Sequence, residues 1–150
     1  MKYGVDYIDG VEVPQLVITE DFVIKGEHRG TVHVESGTLT IQGELHGTLD
    51  IQKGAKVIIS GEQHGTVSVA SGAEVIVYGE LHGTTIINCE SVVIVEEGGK
   101  LAGTLKNEGQ LIIRGVFGGA QSGNGKLVLE ENGQIKQPII KNGISYYKWD

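Results

Sequence analysis

Cysteine is nearly absent from this chain of 150 residues, and proline, methionine and tryptophan are almost as scarce: one Cys, two Pro, one Met and one Trp. The lone Cys89 excludes an intramolecular disulfide and any multi-cysteine metal site, and is expected to be a buried, inert thiol. Lys and Arg number 12 against 19 Asp and Glu. That deficit of cations argues against nucleic acid, whose binding draws on clustered Lys and Arg that release counterions from phosphates. A net charge of -7 fits a basic protein partner, or simply keeps an apolar-rich repeat in solution. No run of eighteen apolar residues occurs, so no transmembrane segment is predicted. The opening MKYGVDYIDGVEVPQLVITED lacks a continuous apolar core of the signal-peptide kind, and a cytoplasmic location is expected.

Glycine is abundant instead, at 24 residues, but it does not recur at every third position as in collagen. It marks a longer repeat. GEHRGTVHVESGTLTIQ from Gly26, GELHGTLDIQKGAKVIIS from Gly43, GEQHGTVSVASGAEVIVY from Gly61 and GELHGTTIINCESVVIVEE from Gly79 align almost without gaps. GKLAGTLKNEGQLIIR from Gly99 and GVFGGAQSGNGKLVLE from Gly115 continue the series in decayed form, with steps of 17, 18, 18, 20 and 16 residues. A helical hairpin repeat needs roughly 30 residues or more, so this period implies β coils.

Within each unit the apolar residues alternate, as a strand with one buried face requires: Leu49 and Ile51, Val57 and Ile59, Val67 and Val69, Val75 and Val77. The predicted fold is all-β: a single-stranded, three-sided β-helix of six to seven coils of about 18 residues. Residues 1–25 are assigned to an N-terminal coil or cap, 26–130 to the repeats and 131–150 to a C-terminal cap. Leu39, Val57, Val75 and Leu111 should form an interior stripe, the glycines of GxxxGT the corners, and Thr31, Thr48, Thr66, Thr84 and Thr104 a threonine column. Residues six apart from Leu45 to Val93 are apolar in eight of nine cases, Gln63 being the exception, which is the rhythm of left-handed β-helices. The second column Ile41, Ile59, Val77, Val95 and Ile113 fits the longer inward strand of a right-handed coil, the hand we favour.

The V-x-G-x-x-x-G-x-V rhythm, with VIISGEQHGTVSV followed eighteen residues later by VIVYGELHGTTII, resembles the bactofilins, bacterial polymer-forming cytoskeletal proteins, over about residues 22 to 130. The resemblance implies a right-handed β-helix, self-assembly end to end into filaments without nucleotide, and a scaffolding role near the membrane or envelope. The termini depart from the family's polar tails. Tyr3, Tyr7 and Phe22 gather at one end and Tyr146, Tyr147 and Trp149 at the other, as candidate caps or interface anchors.

The sharpest polar feature is a histidine column, His46, His64 and His82, with Glu44, Glu62 and Glu80 two residues before each. That spacing puts acid and imidazole on the same side of an extended strand. Such a strip can ligate a divalent metal or respond to pH, although a solvated face in which histidine relieves stacked carboxylates needs no ligand. Catalytic patterns fail. His28 and His33 have the His-x4-His spacing of the solenoid carbonic anhydrases, but no histidine precedes them; Ser60, Ser71 and Ser91 lack a nucleophile elbow; and GxxxGT lacks the lysine of a phosphate loop. The chain is therefore expected to be a non-enzyme without cofactor, whose partner is itself, as an oligomer or filament. The alternative is a discrete binding module, such as an immunity protein lying over a basic toxin.

Overall fold

The computed structural model describes residues 5–130, 133–135, 139–141 and 144–146. It is a parallel β-solenoid of about seven turns, with no helix among the described residues. Each complete turn contributes three strand segments. One set builds a seven-stranded parallel sheet: Phe22–Ile24, Thr38–Ile41, Lys56–Ile59, Glu74–Val77, Val92–Val95, Gln110–Ile113 and Lys126–Leu129. The other two lie in a second parallel sheet. They run as separate strands in the early turns, Glu27–Arg29 and Val32–Val34 and then Glu44–His46 and Leu49–Ile51, and continue as single long ones, Glu62–Val69, Glu80–Ile87 and Lys100–Asn107, each with a glycine at positive φ.

The register repeats the sequence alignment: Glu27 pairs Glu44, which pairs Glu62, then Glu80, Lys100 and Val116. The long step has a local cause. Val95 pairs Val77 in the ordinary register, whereas Lys100 pairs Glu80, so the two extra residues are absorbed in the corner Glu96–Gly99. The stack also begins earlier than the repeat motif. Leu16–Ile18 pairs Val32–Val34 and Phe22–Ile24 pairs Leu39–Ile41, so a turn without GxxxGT precedes the first recognisable unit. Before it, Val5–Ile8 and Val11–Pro14 form an antiparallel hairpin turned by Asp9 and Gly10, both at positive φ.

Inward positions form the core. Leu39, Val57, Val75, Val93 and Leu111 are fully buried, as are Ile41, Ile59, Val77, Val95 and Ile113. Both aliphatic columns seen in the sequence therefore face inward. Among the buried polar residues, Gln63, at 0% exposure, stands between Leu45 and Leu81 in an inward column. Its Nε2 donates to the Gly47 carbonyl at 3.0 Å, but its Oε1 has no partner. Asn107, also buried, satisfies both ends of its amide, donating to the Lys126 carbonyl and accepting from the Gly109 amide. An orphaned buried oxygen costs about 1–3 kcal/mol, more than the single bond Gln63 makes contributes. Gln63→Leu, which restores the residue type of its column neighbours, is expected to raise stability by about 1 kcal/mol, or roughly 2–4 °C in melting temperature. A lower midpoint in thermal unfolding would show that the bond to the Gly47 carbonyl outweighs the orphaned oxygen.

Cys89 is exposed, contrary to the expectation of a buried thiol. It lies in the corner between Ile87 and Val92, outside the strands whose alternation would turn it inward. Its neighbour Glu90 takes a positive φ of 66°, at the corner position held by Gly37, Gly54 and Gly72 in earlier turns.

Candidate functional site

The histidine strip forms as its spacing predicts. Parallel in-register pairing sets His46 beside His64 and His64 beside His82, and their rings stack with centroids 4.8 and 5.1 Å apart and planes within 5° and 8° of parallel. The carboxylates stack in the same register. His64 Nε2 lies 3.2 Å from Glu62 Oε1, while His46 and His82 lie 3.8 Å from Glu44 and Glu80. Only the central pair is within hydrogen-bonding reach. All six side chains are half-buried.

Charge along the strip is uneven. Glu27, Glu44, Glu62 and Glu80 follow one another at the strand spacing, about 4.8 Å, where like charges repel. Lys100 pairs with Glu80 and closes one end of the column. At the other end Arg29 occupies the histidine position, but its guanidinium is drawn aside to Asp9 at 2.9 Å. The middle of the strip is thus an acidic ladder whose neighbouring groups are imidazoles.

A second polar cluster escaped the sequence. His33, nearly buried, contacts Asp50 through Nδ1 at 2.8 Å and Gln15 Oε1 through Nε2 at 2.6 Å. Gln15 in turn donates to Asp6, whose carboxylate also accepts from the Thr31 amide at 2.6 Å and hydroxyl at 2.9 Å. Desolvation pushes the Asp6 carboxyl up, but the bonds from Thr31 and Gln15 and the nearby His33 outweigh it and hold it below its ordinary value. Asp6 stands where an earlier turn would present backbone, so it caps this edge of the solenoid. His33 and Asp50 are 17 residues apart, one step of the repeat, and that spacing was the available signal.

Of the aromatic candidates, Tyr7 lies exposed on the hairpin and Phe22 is half-exposed at the start of the seven-stranded sheet. Tyr146 ends the strand Ile144–Tyr146, while Tyr3, Tyr147 and Trp149 lie outside the described residues. No helix among the described residues is long and apolar enough to cross a membrane. Comparison with protein-family models, with curated proteins and with solved structures finds no match to this chain.

Proposed function

We propose that the chain is a non-catalytic scaffold that acts through protein–protein contacts and assembles end to end through the open edges of its seven-stranded sheet. One observation carries this reading. The two inward columns are sealed from Leu39 and Ile41 to Leu111 and Ile113, yet Phe22 is 44% exposed at one end and Leu129 is 51% exposed at the other. Unpaired strand edges with apolar side chains are templates for another chain.

The two ends are complementary. Laid on the Lys126–Leu129 edge in the prevailing register, the next copy's Phe22 follows Leu127, its Val23 follows Val128 and its Ile24 follows Leu129. The same register places Asp21 against Lys126, an opposite-charge pair. An open groove of about 440 Å³, lined by Asp21, Phe22, Val23, Thr38 and Thr40, lies along the Phe22–Ile24 edge. The resemblance to bactofilins supports the same reading.

A second reading, a discrete binding module of the immunity-protein kind, is favoured by the hairpin: Asp6 closes the edge at Thr31, and a closed end disfavours propagation. Light scattering after size exclusion, with negative-stain microscopy, separates the two. Filaments that disperse on Phe22→Asp or Leu129→Asp, that weaken on Asp21→Lys or Lys126→Asp alone, and that are restored when these two charge reversals are combined, support the scaffold. A monodisperse wild-type particle at all concentrations rejects end-to-end assembly in favour of the binding module.

A further inference from the structure

We propose that the histidine strip is a binding site for divalent transition-metal ions of the zinc class, with one ion held by Glu44, His46 and His64 and a second by Glu62, Glu80 and His82. In each group the three donor atoms lie within 4.8 Å of one another. A tetrahedral zinc ion at about 2.0–2.1 Å from its ligands needs donors roughly 3.3 Å apart. The groups must therefore close by about 1.5 Å at most. The side chains have room to do so, being 35–42% exposed.

The donor chemistry selects the ion. Imidazole nitrogen combined with carboxylate oxygen suits zinc, nickel or cobalt, whereas calcium and magnesium prefer oxygen alone. Electrostatics favours occupancy as well. The acidic ladder carries Glu44 and Glu62 at its centre, its cations stand at the two ends, and Arg29 is already committed to Asp9. A divalent ion between neighbouring turns neutralises carboxylates that the register forces together. Three protein ligands per ion leave a coordination position for water or for a group from another molecule. Binding also changes the ladder: parallel rings direct their nitrogens along parallel lines, so two imidazoles converging on one ion lose their stacking.

The site is independent of end-to-end assembly, because it lies along the side of the solenoid. The test is titration of the metal-free full chain with zinc ion alone, followed by calorimetry in a non-coordinating buffer. Two ions are expected per chain, and the triple variant His46→Asn, His64→Asn, His82→Asn should bind at least about 100-fold more weakly with its urea midpoint retained. Cys89→Ser should leave binding unchanged, and a calcium titration should give no matching heat. Absence of zinc binding at about 100 µM, equal affinity in the triple variant, or loss of binding with Cys89→Ser would each overturn the assignment.

Discussion

Gly65→Ala is expected to destabilise the protein by about 3 kcal/mol or more, a large part of the 5–15 kcal/mol typical of a domain. Two effects add. Gly65 has φ of +126°, a conformation that an L side chain adopts only with strain. A methyl group there would collide with the carbonyl oxygen of Gly47 in the turn below and lie 2.9 Å from its carbonyl carbon. Backbone cannot step aside without lifting one turn off another, and the same contact recurs at Gly83 over Gly65 and at Gly103 over Gly83. Gly54 is the control. It also has positive φ, at +80°, but nothing lies within 4 Å of an added methyl, so Gly54→Ala should cost only about 1–2 kcal/mol. Urea unfolding of both variants measures the difference, which combines the turn-on-turn contact with the greater strain of a φ of +126°; equal losses would show that neither adds to the cost of a positive φ.

Leu81→Ala should cost about 2–5 kcal/mol, because the side chain is wholly buried and the surroundings cannot collapse into the gap. Its neighbours in the column are Gln63 and Leu101, each fixed by its own strand's register. In a structure where every turn touches only the next, a central defect also weakens the link between the two halves. Ile24→Ala, at the first turn of the stack, has a neighbour on one side only and should cost distinctly less. Hydrogen exchange adds a spatial test: Leu81→Ala should raise exchange in the strands around it first. A loss below about 1 kcal/mol would contradict a close-packed interior.

Much of this was legible in the amino acids, for a physical reason. When each turn stacks on the last, position in the repeat becomes position in space. The steps from Gly26 to Gly115 are therefore the register of the sheets, and the stacking of His46, His64 and His82 follows from their spacing. What lacked the motif was harder to see. Residues Leu16–Ile24 join the stack without a glycine pair because the hairpin, not an earlier turn, lies beneath the adjoining edge, and Asp6 takes the place of backbone there. The His33 and Asp50 contact crosses between turns at positions where the other repeats carry unrelated residues such as Ser68 and Ile86. The orphaned oxygen of Gln63 could not be inferred at all, since an interior glutamine is as easily satisfied as Asn107 is.

The corner that holds Glu97 and Gly98 separates chain length from strand alignment. The sheets on either side stay in step although the path between them is longer, so the solenoid has a place where sequence can grow outward while the interior is left undisturbed. New loops, epitopes or docking segments introduced there meet solvent rather than core, and the rod beneath serves as an inert mount for them.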